Sequence, residues 1–225
     1  KKYNIGKEGC FMLDAIQVKQ RSMFQKVLVT FIVSLLFATV GMYVGKFVPP
    51  VYMFPLAVAE FIMIFAAFWL RRRKSVGYTF VYVFTFLSGI TTYPIVNYYV
   101  SEAGAQVVFT AFAMSFGIFA VMGLVGAVTK KDLSFLSTFL LVALLALVFI
   151  SIFNIFSPLT SSGLLAFSAI GAVVFSLYIL FDFNQMKHTS ITEEMVPLLA
   201  LSLYLDFINL FTDILQILGI LGKDD

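Results

Sequence analysis

Acidic and amide side chains recur on one face of a long apolar stretch near the end of the chain. Within residues 197–221 the polar positions follow one another at intervals of four and three residues: Ser202, Asp206, Asn209, Asp213 and Gln216. At 3.6 residues per turn, these positions form a polar stripe along a single helix face. Because a carboxyl group in hydrocarbon is costly, the stripe must face protein or water. We therefore predict a central helix with the remaining helices packed around it.

Another acid, Asp182, lies in the preceding apolar stretch and shares a helix face with Tyr178 and Gln185. The link between the two stretches is short, so we expect antiparallel neighbouring helices, with Asp182 and Asp206 within about one turn of the same depth. Two carboxyl groups that meet in a low dielectric cannot both ionise cheaply, and they titrate as a pair that shares a proton. Such a pair is a natural pH switch, and its deprotonated oxygens suit Ca²⁺. The alternative is that both acids only join helices by pairing with basic or polar groups.

Three further residues enter the set of candidates. Glu60 lies in the middle of the second apolar stretch, where it either lines the same pathway or is simply paired. Asp213 lies nearer the far end of its helix, where we expect a water-filled vestibule to solvate it. Arg71 begins a basic run typical of a topology anchor, although its long side chain can reach an acid near the inner face. We take Glu60, Arg71, Asn209 and Asp213 as pathway or latch residues, and Asp182, Asp206 and Glu60 as candidate Ca²⁺ contacts.

The composition places these residues in a membrane. The chain is 61% hydrophobic and 12% charged, whereas soluble domains are about 25% charged. Its net charge of +3 does not indicate a nucleic-acid partner, because the basic residues lie at the ends of apolar stretches. Cys10 is the only cysteine and His188 the only histidine. Neither an internal disulfide nor a mechanism that needs two imidazoles is therefore available, and we interpret His188 as a solvated loop residue.

Seven apolar stretches are each close to the ~20 residues that a spanning helix needs. They cover approximately residues 24–44, 51–70, 76–99, 106–128, 133–153, 164–186 and 197–221. The fourth has small residues four apart, Ala113 with Gly117 and Gly123 with Ala127, which favour close helix packing. We predict an all-α polytopic protein of seven transmembrane helices. Lysine and arginine are concentrated on one side, which places the N-terminus in the cytoplasm and the C-terminus outside.

The first eleven residues carry charge but no apolar core, so they do not read as a signal peptide. We interpret residues 1–11 as a non-native or disordered extension ahead of Met12. Residues 12–225 then form a single seven-helix transmembrane domain.

The segments SLYILFDFNQMKH and ALSLYLDFINLFTDILQILGI resemble the signature of the transmembrane Bax inhibitor motif family. The whole of residues 12–225 is similar to its bacterial YetJ-like branch. The resemblance implies a central last helix, a location in the bacterial plasma membrane, and a pH-sensitive calcium leak. It also implies that Asp182 and Asp206 hold the closed state, that Glu60 is the branch's mid-helix acid, and that Arg71 approaches the first aspartate. Gln216 departs from the pattern, because the family often has a basic residue there, and an outer ion pair with Glu60 is then in doubt.

Three alternatives remain to be weighed. An intramembrane aspartyl protease also places two aspartates on adjacent helices. By resemblance, however, proteases of that class carry a Tyr-Asp motif at the first aspartate and a Gly-x-Gly-Asp motif at the second. Here Phe181 and the run Leu203-Tyr204-Leu205 precede the acids, so we predict that the protein is not an enzyme. A Ca²⁺/H⁺ exchanger on the same site and a non-conducting membrane regulator stay open. We expect the bilayer, Ca²⁺ and H⁺ as partners, with no cofactor beyond transported or bound Ca²⁺. No protein partner is readable, and we expect a monomer.

Overall fold

The computed structural model describes residues 5–70 and 76–222, with side chains described for residues 18–67 and 76–222. The regular structure in these ranges is entirely helical. Its α-helices are α1 (Ile5–Gly45), α2 (Met53–Leu70), α3 (Tyr78–Ala103), α4 (Ala105–Val128), α5 (Leu136–Phe156), α6 (Ser161–His188) and α7 (Val196–Leu221). Short 3₁₀ turns at Pro50–Tyr52 and Glu193–Met195 precede α2 and α7. All seven helices are long and apolar enough to cross a membrane, α1 from Val18 onward, which confirms the all-α polytopic prediction.

Helix α7 lies at the centre of the bundle. Of its apolar window 61% is buried, against 39% for α3, the next most buried helix. It packs on α1, α3, α4 and α6, while α2 packs mainly on α3 and α5 on α6. Large side chains such as Leu203, Tyr204 and Phe207 are almost completely buried. The predicted central last helix is confirmed, with α2 and α5 on the outside of the bundle.

Local sequence signals fix where the helices begin and end. The Thr160 hydroxyl accepts a hydrogen bond of 3.2 Å from the backbone N–H of Gly163 and so caps α6. Pro197 lies in the first turn of α7, where its missing N–H costs nothing. Gly104 separates α3 from α4 with φ of +83°, a conformation that favours glycine. Pro94 lies inside α3, which is continuous across it.

Glycines allow the closest helix contacts. Gly41 of α1 and Gly89 of α3 each lie against the backbone of the other helix. On α4, Gly123 packs on the Phe183 ring and Gly126 on the backbone of α6. The expected packing role is confirmed for Gly123 but not for Gly117, which has open space around it.

The reason lies in the direction of the α4 face. Its buried positions are Ala111, Ser115, Phe119, Gly123 and Gly126. Residues 113 and 117 fall on the opposite side of that helix, which faces away from the bundle.

The last turn of α6 binds the end of α4 and defines what we call the inner end of the bundle. The buried Asn184 amide donates to the carbonyl oxygens of Lys131 and Gly126, and its own oxygen accepts from the Leu133 N–H at 2.9 Å. Lys187 donates to the carbonyl oxygens of Val128 and Thr129, the last residue of α4 and its C-cap. His188 is exposed, as predicted, but it is the last residue of α6 rather than a loop residue, with its ring 3.1 Å from the Lys130 carbonyl oxygen.

Candidate functional site

The polar stripe of α7 faces α6 along an antiparallel register. Ser202 lies beside Asp182, the Asp213 carboxyl lies against Gly171, and Gln216 accepts a hydrogen bond of 3.0 Å from the Ser168 hydroxyl. We call this set of contacts, together with Asp206, the α6–α7 seam. Because a polar stripe must avoid lipid, its burial against a neighbouring helix is the solution that the bilayer imposes.

The inner half of the seam holds the predicted aspartate pair. The carboxyl groups of Asp182 and Asp206 interact electrostatically with each other, and each also interacts electrostatically with the Tyr178 hydroxyl. Asp206 is 6% exposed, and one oxygen of each carboxyl is buried without a hydrogen-bond partner. Two such groups at one place in a low dielectric favour a shared proton over two negative charges. The prediction that the two acids meet at similar depth agrees with this arrangement.

A cavity of about 640 Å³ lies below the pair at the inner end. Asp182 and Ser202 form its deep wall, and α2 contributes Ile64 and Ala67. Thr192 and Glu194, both exposed, line its other end. The cavity between α2 and the α6–α7 link is therefore bounded in part by Asp182, whereas Asp206 is not among the residues that line it.

Glu60 belongs to a separate polar cluster between α2, α3 and α7. Its carboxylate accepts a hydrogen bond of 2.6 Å from the Thr91 hydroxyl, and Ser88 and Tyr204 lie close by. On α2 it shares a face with the cavity residues Ile64 and Ala67, one turn further from the inner end. Glu60 is thus paired with α3, above the cavity rather than in its wall.

The candidate Ca²⁺ contacts are not gathered into one preformed centre. Among residues 18–67 and 76–222, whose side chains the structure describes, no three acidic, histidine or cysteine side chains come together as a metal-binding group. Asp182 and Asp206 form the pair, while Glu60 lies in the cluster with Thr91.

Asp213 differs from its prediction. We expected a water-filled vestibule around it, but the side chain is only 6% exposed and its carboxyl lies against Gly171 of α6. The reason is that α6 continues past this point and its glycine lets the two helices approach closely. The polar stripe, which we read correctly as protein-facing, is covered at this depth by helix backbone rather than by water.

Two other candidates, Asn209 and Arg71, do not join the aspartate pair in the described structure. Asn209 is half-buried, and its amide donates to the Leu205 carbonyl oxygen of its own helix at 2.7 Å. Arg71 lies outside the described residues.

The outer pair between position 216 and Glu60 is not formed. Gln216 accepts a hydrogen bond from Ser168 within the seam, and Glu60 accepts one from Thr91, so Gln216 and Glu60 do not bond to each other.

Several partners were missed at the sequence level. Ser88 and Thr91 next to Glu60, and Ser168 next to Gln216, belong to the site but were not singled out. Ser88 and Thr91 are three residues apart in an apolar helix, and such spacing is the signal that would have indicated a polar face on α3. Ser168 has no polar residue three or four positions away on α6, and only its hydrogen bond to Gln216 across the seam identifies it as part of the site.

Comparison with known proteins gives a consistent result. The model of the family described as "Inhibitor of apoptosis-promoting Bax1" matches residues 20–223. An uncharacterized protein of Campylobacter jejuni is 34% identical over 196 residues, which cover 84% of each chain. An uncharacterized membrane protein of Vibrio cholerae is 32% identical and covers 68% of each chain.

A eukaryotic relative carries the family's name. The protein called Bax inhibitor 1 in Schizosaccharomyces pombe is 36% identical over 149 residues, or 66% of this chain and 54% of that protein. The family match spans nearly the whole helical bundle, including both helices of the α6–α7 seam. This seven-helix membrane protein therefore belongs to the Bax inhibitor family.

Proposed function

We propose that the protein is a pH-sensitive calcium leak channel, gated by the Asp182–Asp206 pair. The observation that carries the proposal is the position of this pair: the half-buried Asp182 of α6 and the buried Asp206 of the central helix interact electrostatically, directly above a cavity at the inner end. A purely structural contact between two helices needs neither two acids nor a cavity beside them.

The closed state rests on one proton. With that proton, Asp182 and Asp206 carry a single negative charge and form a hydrogen-bonded link between α6 and α7. Beyond the pair, the seam is tightly packed where Asp213 meets Gly171, so no continuous path crosses the bundle there. The cavity supplies water to Asp182 from the inner end, and the proton can exchange by that route.

Loss of the proton opens the link. Two like charges in a low dielectric repel strongly, which favours separation of the two helices and entry of water. The freed carboxylate oxygens are hard ligands of the kind that Ca²⁺ prefers. A single pair offers few ligands, so calcium would bind weakly and move on, as conduction requires.

The acidic residues that line the cavity would attract cations. Glu194 stands at its exposed end and Asp182 on its deep wall, so the route carries negative charge from the surface inward. Glu60 lies one turn above this cavity and would act on a cation that has passed the pair. We assign it a place on the pathway, together with Asn209 on the half-buried face of α7.

The orientation follows from basic residues at the inner end. Lys130, Lys131 and Lys187 lie there, and Lys46 lies beyond the opposite end of α1. By the positive-inside rule, the cavity faces the cytoplasm, with the N-terminus inside and the C-terminus outside. We place the protein in a bacterial plasma membrane because relatives of similar length are bacterial membrane proteins.

The test is calcium flux into proteoliposomes over a pH series. The intact protein should conduct, with a flux that varies with pH, and both Asp182→Asn and Asp206→Asn should lose most of that variation. Asp132→Asn is the matched control, since this acid is exposed outside the spanning helices and should leave the pH response intact.

Two other results would redirect the assignment. A proton gradient that drives calcium uphill would show coupled exchange at the same pair rather than a leak. Absence of flux at every pH, in vesicles shown to contain folded protein, would remove the channel proposal and favour a non-conducting regulator.

A further inference from the structure

A third carboxyl lies in the outer half of the seam, away from the aspartate pair. Asp213 is seven residues beyond Asp206 on α7, about 10 Å along the helix axis. It is 6% exposed, and its Oδ2 is buried without a hydrogen-bond partner. Nothing in the proposed gating step uses this group.

The carboxyl is aimed directly at the neighbouring helix. A Cβ built on Gly171 would lie 2.8 Å from Asp213 Cγ and closer still to Oδ2. Contacts under 3.0 Å essentially do not occur for real Cβ atoms. The carboxyl therefore occupies the place that any larger residue at position 171 would need, with no room for a hydrated cation between the two.

No opposite charge compensates Asp213 in the part of the chain that the structure describes. Among residues 18–67 and 76–222, no charged or titratable side chain is found to act on this carboxyl, which is held in a buried environment. On the facing helix α6 its neighbours along the seam are Gly171 and, one turn outward, Ser168, which bonds to Gln216.

The other helices around α7 present aromatic rings near this depth. Tyr99 of α3 packs on Gly219, two turns beyond Asp213 towards the outer end, and Phe112 of α4 packs on Phe211. Phe31 of α1 packs on Phe207, on the inner side of Asp213. None of these rings supplies a positive charge.

From this geometry we infer that Asp213 is a second proton-binding site, which holds α6 against α7 in the outer half of the seam as a neutral carboxylic acid. The backbone groups around Gly171 are already hydrogen-bonded within α6, so an ionised carboxylate pressed on them without a counter-charge would be expelled from the contact, whereas the neutral acid fits it. The inference adds an outer proton site to the pathway of the proposed channel, yet it does not depend on calcium conduction. Loss of this proton separates the helices where the closed seam is tightest.

Infrared spectroscopy of the purified protein tests the protonation directly. The background variant is Glu60→Gln with Asp182→Asn and Asp206→Asn, which leaves Asp213 as the one remaining carboxyl of the seam. At neutral pH this variant should keep a carbonyl band of a protonated carboxylic acid, and adding Asp213→Asn should remove it. A spectrum without that band in the background variant overturns the inference.

A stability series keeps the question answerable if the multiple variant does not fold. The thermal stability of the intact protein should fall as the pH rises above about 4, where an unfolded aspartate ionises but the folded Asp213 keeps its proton. Asp213→Asn should reduce that fall because an amide imitates the neutral acid, and Asp206→Asn alone should leave the contribution of Asp213 in place. An identical pH profile for the intact protein and Asp213→Asn would contradict a proton at this position.

The contact with Gly171 has its own test. Gly171→Ala should destabilise the protein, and Asp213→Ala in the same chain should recover part of that loss by removing the colliding carboxyl. Gly117→Ala, at a glycine with open space around it, is the matched control and should be neutral. Strictly additive effects of Gly171→Ala and Asp213→Ala would show that the two residues do not meet. Because neither series measures flux, failure here is distinguishable from failure of the channel proposal.

Discussion

The Thr91 hydroxyl of α3 donates a hydrogen bond of 2.6 Å to Glu60 Oε2 of α2. Helix α2 is the least buried of the seven, with 6% of its apolar window covered, so a polar contact of this kind reinforces a small packing interface with α3. The bond also holds the Glu60 carboxyl towards the bundle interior and away from lipid. In hydrocarbon the alternative for that carboxyl is an unsatisfied charge or a lost helix contact.

Thr91→Val should therefore loosen α2. The change keeps the shape of the side chain but removes the donor, and hydrogen bonds between membrane helices contribute about 0.5–2 kcal/mol. We expect a loss of this size in the free energy of unfolding, measured by denaturant titration in detergent micelles. Thr92→Val is the control, since Thr92 bonds to the Ser88 carbonyl of its own helix. Equal losses in the two variants would contradict a special role for the Glu60 contact.

Asn184→Ala should be among the most damaging substitutions at the inner end. The side chain is fully buried and satisfies the Leu133 N–H and the carbonyl oxygens of Gly126 and Lys131. Each buried polar group left without a partner costs about 1–3 kcal/mol. We expect Asn184→Ala to lower the free energy of unfolding several times more than a substitution at an exposed position does. Ser190→Ala is the exposed reference. A loss equal to that of the reference would show that water replaces these bonds freely.

Close packing of α4 on α6 predicts opposite results for two glycines on the same helix. A Cβ on Gly126 would lie 3.0 Å from the Phe183 Cβ and closer to the Leu180 carbonyl oxygen, whereas Gly117 has open space. Gly126→Ala should cost about 1–3 kcal/mol by overpacking. Gly117→Ala should be neutral or slightly stabilising, by up to about 1 kcal/mol, because alanine favours the helix. Equal thermal midpoints for the two variants would contradict the close contact of Gly126 with α6.

Acid should weaken the loop between α4 and α5 through Asp132. Hydrogen bonds from the Ser134 hydroxyl, the Ser134 backbone N–H and the Gln185 amide hold the pKa of the Asp132 carboxyl below its usual range. A carboxyl whose pKa is lower in the folded state stabilises the fold fully above its unfolded value of about 3.9. That contribution is then lost as the pH falls through the folded value.

The measurement is thermal stability between neutral pH and about pH 3. Asp132→Asn should be less stable than the intact protein at neutral pH and should converge with it in acid. Glu194→Gln, a change at another exposed acid of the inner end, should not reproduce the convergence. Parallel curves for the intact protein and Asp132→Asn throughout the range would rule out the proposed contribution.

The sequence by itself determined the helices, the membrane and the position of the chemistry. Helix period and length were enough to find seven spanning segments, because hydrocarbon accepts only apolar segments of about 20 residues with internally satisfied backbone. The spacing of Asp206, Asp213 and their polar neighbours was enough to give α7 a protein-facing stripe, since such groups avoid lipid. The short link between α6 and α7 placed Asp182 beside Asp206.

Only the tertiary structure decided what each polar group meets. Periodicity along one helix gives a face but not the residue on the facing helix, so the contact of Asp213 with Gly171 was not predictable and its expected solvation was wrong. The bond between Thr91 and Glu60 joins positions 31 residues apart, for which the sequence carries no spacing signal. Likewise, Gly117 and Gly123 are equivalent as small residues at four-residue spacing, and only the direction from which α6 approaches α4 distinguishes them.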